Sequence, residues 1–405
     1  MKKKILENLS ALAIMQAMNY LLPFITLPYL VHVLGMEYYG TYVFSQSLIS
    51  YFLIFVDFGF DLYATRQVSI YREDKGKLEM IINAVLTWKF IFIILSVLIL
   101  LILTSFVPMF KEYQTVHLLN FGVVIGTMLF ANFYYSGIEE MKFITILNAS
   151  AKILFTIFIF IFIDNPNDLE LTALINSGGY IVVGLFSIWL IHKKYNIHFV
   201  RIPKKFMWDM LTSSAPFFWS RLAVSIYTVS NTFIIGVVLG NTAAGIFSAA
   251  DKVFRGIVSI YSPLNGVFYP FIAHRKDVTL YKKVIKYAIS VNLFLSLLLF
   301  ISSEWIIGII FGAGFEESST VLRIFSIVLV YIMPSILFGY PLLGGMGYTN
   351  EVNKSVIYSS IVHLILLLVC IPILDLKLVA FLVLITELNV FLYRTYYVKH
   401  YELLK

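Results

Sequence analysis

Apolar runs long enough to cross a lipid bilayer follow one another along the whole of this chain, and they constrain its fold more than any other feature. Residues 90–106 read FIFIILSVLILLILTSF, with no alternation of polarity. A membrane-spanning helix needs about 20 mostly apolar residues. The strands of a membrane barrel instead show segments of about 10 residues with alternating polarity. Only 13% of the residues are charged, against about 25% in a soluble domain, so the apolar residues cannot all be hidden from water in a core. The fold class is therefore an all-α polytopic membrane protein.

Apolar runs between polar breaks predict twelve transmembrane helices. They fall near 10–33, 41–63, 81–107, 116–138, 143–163, 171–191, 212–239, 245–272, 284–311, 320–341, 355–374 and 378–398. The basic start MKKKILENLSALAIMQ reads as the entry to a retained first helix. Its apolar stretch runs on to about Leu34, and the small-residue triplet Ala11-Leu12-Ala13 comes too early for signal cleavage. Prolines 23, 28, 216, 263, 334 and 341 fall within or at the ends of spans, where kinks are expected. The one cysteine, Cys370, excludes an internal disulfide.

Lysine and arginine set the orientation. With the N-terminus in the cytoplasm, 22 of the 30 basic residues fall on the cytoplasmic side, and only Lys111 and Lys377 fall outside. The acidic loops 164–170 and 314–319 then lie outside, and both termini inside. The net charge of +7 is thereby a signature of topology and does not call for nucleic acid.

One short pattern is written twice. VLGMEYYGTY (33–42) and VLGNTAAGIF (238–247) share V-L-G, a second glycine and a following aromatic, 205 residues apart. Each copy falls between two spans, the first glycine suiting a helix C-terminus and the second a close helix approach. Six helices per copy is an even number, so the two halves are expected as parallel repeats. The domains predicted are six-helix bundles over 1–200 and 201–405, joined by a basic cytoplasmic linker at about 192–210. They are expected to be pseudo-symmetric, around a central cleft.

Several chemistries lack their residues. No G-x4-G-K-[ST] nucleotide loop, H-E-x-x-H metal motif or G-x-S-x-G elbow is present. No metal, cofactor or catalytic residue is expected. Polar residues instead recur at helical spacing inside spans. The stripes are Arg221/Ser225/Thr228/Thr232, Ser248/Asp251/Arg255/Ser259/Ser262, Thr145/Asn148/Lys152/Thr156, Gln46/Ser50/Asp57/Asp61 and Gln16/Asn19. A single serine or threonine is ordinary helix–helix glue; full charges at membrane depth point to a hydrated cavity.

Arg221 and Lys152 lie too deep to snorkel, with no acid near in sequence. Arg255 has Asp251 one turn earlier, a favourable pair. Lys89 and Arg323 sit nearer the surfaces, where snorkelling is expected; Glu304 and Glu387 fit either a structural or a coupling role. Under the 205-residue offset Arg221 matches Gln16, while Lys252 and Arg255 match Ser47 and Ser50. Fixed positive charge thus concentrates in the second half. An unpaired arginine in a wet cleft is a natural anion site.

At NYLLPFITLPYLVHVLGMEYYGTYVFSQ (19–46), DFGFDLYATRQVSIYREDKGKL (57–78) and NTFIIGVVLGNTAAGIFSAADKVFRGI (231–257) the chain resembles polysaccharide flippases of the Wzx type. These belong to the multidrug/oligosaccharidyl-lipid/polysaccharide exporter superfamily. The resemblance implies two six-helix bundles in a V around the cleft. It also implies transfer of undecaprenyl-diphosphate-linked O-antigen units across the bacterial inner membrane, from the cytoplasmic to the periplasmic leaflet. Membrane lipid, an O-antigen polymerase and a chain-length regulator are the other expected partners. One departure is Asn231, where the family often carries an acid, which argues against a proton- or cation-linked role there. The substrate-binding residues expected are Arg221, Lys152, Arg255, Lys252, Asp251, Gln16, Asn19, Asp57, Asp61 and Asn231. The rivals are a drug/cation antiporter, which would want an acidic cavity, and a membrane-embedded O-antigen polymerase or glycosyltransferase, which would want a large outer loop. A structural partner of the export machinery is a third, disfavoured by the polar stripes.

Overall fold

A computed structural model describes the backbone of residues 2–261, 268–269, 272 and 278–404, with side chains at all of these except 2–17, 19–21, 220, 223–224, 226–228 and 280. Every regular element among them is helical. The chain divides into two compact units, Met1–Leu222 and Ala223–Lys405.

The first unit opens with α1 (Lys2–Asp57). Unbroken, 56 residues would run about 84 Å, nearly three times the hydrocarbon thickness of a bilayer. The break is at Gly35, with φ 74° and ψ 172°. Gly240, between two later helices, has φ 91° and ψ 172°. The two copies of V-L-G thus make the same corner. Gly240 directly follows the C-terminus of its helix, as expected, and at both glycines φ is positive with ψ extended, a region almost confined to glycine. An added Cβ would meet nothing within 4 Å at either position, so backbone conformation, not crowding, demands the glycine.

After α1 come α2 (Phe60–Ile70) and α3 (Lys75–Phe106). Asp74 caps α3, its side chain accepting from the Lys77 N–H at 3.0 Å. α3 has two faces. Phe90, Ile94, Leu98, Ile102 and Phe106, four residues apart, are exposed and suit lipid. Val85, Lys89, Phe92, Ser96, Leu100 and Thr104 face inward and are buried.

The fourth expected span is three short helices, α4 aside: α4 (Pro108–Lys111), α5 (Gln114–Asn120), α6 (Gly122–Leu129) and α7 (Asn132–Gly137). α8 (Met141–Phe162) and α9 (Leu169–Tyr195) follow. α6 carries Gly122 and Gly126 one helical repeat apart and lies tightly on α9. A Cβ on Gly126 would come within 2.3 Å of the Tyr180 carbonyl carbon, and one on Gly184 within 2.4 Å of the Gly126 oxygen. This is the small-residue packing of membrane helices, in which backbone contact replaces side-chain burial.

The expected linker is largely helical. α9 ends at Asn196 in the left-handed conformation, φ 53°, and α10 (Lys204–Leu239) begins at Lys204. The segment between is fastened to α3: Asn83 donates to the His198 oxygen at 2.9 Å, and Trp88 donates to the Met207 oxygen at 2.8 Å. α10 runs across the boundary between the two units.

The second unit holds α11 (Asn241–Ser259), α12 (Thr279–Phe311), α13 (Glu316–Leu337), α14 (Thr349–Val369) and α15 (Leu376–His400). The eighth expected helix, 245–272, ends earlier, at Ser259; Ser262 and Pro263 lie outside the described residues. α13 lies in the most buried of the bilayer-length stretches among the described residues and packs on α11, α12 and α15. Past it, Phe338–Gly344 is a wide π turn containing Pro341. Gly339 makes room there for Arg394, since a Cβ would fall 2.8 Å from its guanidinium. Arg394 is buried, donating to the Ser335 oxygen at 2.8 Å and to Ser355 Oγ at 3.0 Å.

Nine stretches among the described residues are long and apolar enough to cross a bilayer. The two arms of α1 are continuous with α2 and count once, the charges of Asp251, Lys252 and Arg255 dilute the apolar run of α11, and α10 includes side chains outside the described residues.

Candidate functional site

The first unit gathers four charges, Asp57, Asp61, Lys89 and Arg221, the first three within stretches long and apolar enough to cross a membrane. α1 terminates at Asp57 because Phe58 and Gly59 both take positive φ, 44° and 76°. α2 then starts with Asp61 in its first turn, where the helix dipole favours a carboxylate. The Asp61 N–H also donates to Asp57 Oδ1 at 3.3 Å, so the corner holds two carboxylates side by side. Like charges so close are unfavourable without cations between them.

Lys89, on the buried face of α3, supplies one. Its Nζ lies 3.1 Å from Asp61 Oδ1 and 3.3 Å from Asp57 Oδ1, with only 4% of the side chain exposed. Asn132, opening α7, donates to Asp61 Oδ2 at 3.3 Å, and the Phe133 ring lies 5.7 Å from the ammonium. Arg221 supplies the second cation: its Nη1 donates to Asp57 Oδ2 at 2.8 Å. Arg221 is 47% exposed, where Asp57 is 12%. The four charges cancel.

The fold brings Arg221 here by a close crossing. A Cβ on Gly59 would sit 2.7 Å from the Phe218 nitrogen and the Ser214 oxygen of α10. Phe58 stacks on Phe218 with centroids 4.6 Å apart and planes at 15°. Arg221 is three residues past Phe218, so this contact sets its reach. Gly59→Ala adds a clash with backbone to a positive φ; it should destabilise by about 2 kcal/mol or more, read as a lower Tm of the detergent-purified protein.

The charges border a cavity of about 160 Å³ lined also by Leu53, Ile54, Val56, Val124, Thr127 and Met128. That is well above the about 10–15 Å³ that one water needs, and the charged edge supplies polar partners, so the cavity can hold water.

Lys152 is half-buried in α8. Arg255 pairs with Asp251 at 2.6 Å in α11, where Lys252 is half-buried. Asn231 is buried and accepts from His363 Nε2 at 2.9 Å, while His363 Nδ1 meets Thr386 Oγ1 at 2.7 Å. The side chains of Gln16, Asn19 and Thr228 lie outside the described residues. Glu304 takes its structural option, pairing with Arg323 at 2.8 Å.

Two expectations are corrected. Arg221 is not unpaired: its acid, Asp57, is 164 residues away in sequence, beyond any local search. Lys89 does not snorkel, being locked between two carboxylates.

Residues 5–276 match the family described as polysaccharide biosynthesis protein. The chain belongs to that family. The chain is 26% identical over 379 residues to an Escherichia coli (strain K12) protein named "Putative O-antigen transporter", with 90% of each chain covered. A Shigella dysenteriae protein of the same name is 25% identical over 365 residues, covering 89% of this chain and 91% of the relative. Among solved structures, the lipid II flippase MurJ in an inward closed conformation matches with TM-score 0.74 at 15% identity, over 97% of this chain and 87% of that one. An inward-facing multidrug resistance MATE family transporter of the MOP superfamily matches with TM-score 0.71 at 14% identity, over 97% and 98%. At those identities the likeness is one of fold.

The sequence does carry a signal for Lys89. Lys89, Ser96 and Thr104 are spaced by seven and eight residues, one face of a helix otherwise apolar. Two deep carboxylates on the preceding elements also required a cation.

Proposed function

We infer that this protein is a flippase. It moves undecaprenyl-diphosphate-linked oligosaccharide, an O-antigen type of unit, from the cytoplasmic to the periplasmic leaflet of a bacterial inner membrane. Similarity to the two O-antigen transporter relatives over nine-tenths of the chain carries this reading. The membrane-embedded cation at the edge of a wet cavity supports it physically. A diphosphate in hydrocarbon is prohibitively desolvated, and a guanidinium is the side chain best shaped to receive it. In this reading Arg221 takes the diphosphate, with Lys152, Lys252 and Arg255 as further cations along the route. Asp251 tempers Arg255, while Gln16, Asn19 and Asn231 offer hydrogen bonds to sugar. An O-antigen polymerase and a chain-length regulator would act on the exported unit. Transport, not catalysis, is the activity. A drug/cation antiporter is less well supported, because Asp57 and Asp61 already have cations.

The same reading takes twelve spans in two six-helix repeats, 1–200 and 201–405, with both termini cytoplasmic. Ser318 is fully buried, its hydroxyl bonded to the Ile246 oxygen, so the exposed Glu317 is the better reporter for its loop. In a background where Cys370 is replaced, single cysteines at Asn165 and Glu317 should react with an impermeant thiol reagent from outside, and one at Lys204 should not. Reverse labelling would overturn the topology.

The functional test is complementation of a flippase-null strain matched to the native sugar. Restored surface polysaccharide, with depletion of the lipid-linked unit that accumulates inside, is the expected result. A protein that inserts, shows normal abundance and leaves that intermediate accumulated would refute the flippase reading.

A further inference from the structure

Arg221 holds Asp57 by one prong only: Nη1 makes the contact, and among the described residues no partner takes Nε or Nη2. It is the most exposed member of the four-charge cluster and borders the cavity. Its acid is held differently. Asp57 keeps Lys89 on its other oxygen at 3.3 Å and accepts the Asp61 N–H, and Lys89 is too buried to leave. If Arg221 swung away, Asp57 would lose one of its three contacts and remain in place. The cluster is thus built so that one cation can depart while the acid waits.

We propose that Asp57 is a built-in competitor for the anion-binding arginine. It occupies Arg221 when no substrate is bound, yields it to the diphosphate, and takes it back when the diphosphate leaves. Resting on the flippase reading, this gives Asp57 a positioning role that acts through Arg221. The exchange is one anion for another on the same guanidinium, and no charge has to be created in the membrane. A two-pronged phosphate contact outcompetes the one-pronged carboxylate on entry. The tethered carboxylate, at high local concentration, wins when the headgroup begins to hydrate at the far side. Binding is weakened so that release is not slow, because affinity beyond what loading needs only lengthens residence.

The test measures binding of undecaprenyl diphosphate to the full-length protein in nanodiscs by native mass spectrometry, with undecaprenol as the uncharged control. Asp57→Asn should bind the diphosphate at least about tenfold more tightly than wild type, the scale of one charge-assisted hydrogen bond. Undecaprenol binding should not change. The same variant should export more slowly at saturating substrate, and Asp57→Glu should return both quantities towards wild type. A gain of affinity is not what a damaged fold produces. If Asp57→Asn does not accumulate, the Asp57→Asn/Lys89→Gln double variant keeps the cluster neutral and carries the same expectation. Unchanged or weaker binding in these variants, with Arg221→Ala having lost it, would overturn the competitor and leave the anion site standing. Equal binding by wild type and Arg221→Ala would overturn both.

Discussion

Arg221→Ala is expected to abolish surface polysaccharide, or cut it more than tenfold, in a complemented flippase-null strain while the protein still inserts at normal abundance. The cell interior is negative, so each negative charge moved outward gains about 2.3 kcal/mol per 100 mV. The potential can drive export of a diphosphate; the barrier in the hydrocarbon is what must be lowered. Removing the guanidinium removes that help and also strands Asp57 with Lys89 alone. Arg221→Lys should keep part of the activity, since the charge survives and the fork does not. Lys152→Ala, which touches nothing in the cluster, should weaken transport less. Full complementation by a normally expressed Arg221→Ala would make Arg221 a packing or topology residue.

The second large effect is on stability. Lys89→Met leaves two carboxylates facing one half-exposed arginine. Breaking a buried ion pair by deleting one partner costs about 3–5 kcal/mol. The expected result is a sharp fall in protein level and in Tm. Adding Asp61→Asn to Lys89→Met restores one acid to one cation, and should recover most of the loss even though another polar group has been removed. Two independent, additive losses would mean that Lys89 and Asp61 do not act on each other.

Much of this was legible before the structure. The apolar runs mark a helical membrane protein because bilayer thickness dictates their length, and the paired V-L-G corners mark two of the glycines that must take positive φ. What escaped was pairing across the chain. Asp57 and Arg221 were both singled out, yet each was judged by its sequence neighbours, whereas their bond depends on Gly59 letting α10 come close. Lys89 was judged by its depth alone; the serine and threonine that share its face show that it points inward. Helix count suffers where one corner joins two arms, at Gly35, and where charge dilutes an apolar run, in α11.

The helix that delivers Arg221 also belongs to both units, with the boundary falling just after it at Leu222. During synthesis the acids at 57 and 61 and the lysine at 89 enter the membrane long before residue 221 is made. At about 5–20 residues per second the arginine follows Lys89 by on the order of ten seconds. The nascent first half must therefore dwell with Asp57 short of one partner and with Phe58 and Gly59 uncovered. A ribosome paused near residue 200 would expose that surface to insertion factors and quality-control proteases, and a gene split there would separate the acid from its cation. A split after Leu239 would not. The maturation point of the N-terminal half lies inside α10, beyond the loop where its last complete span ends.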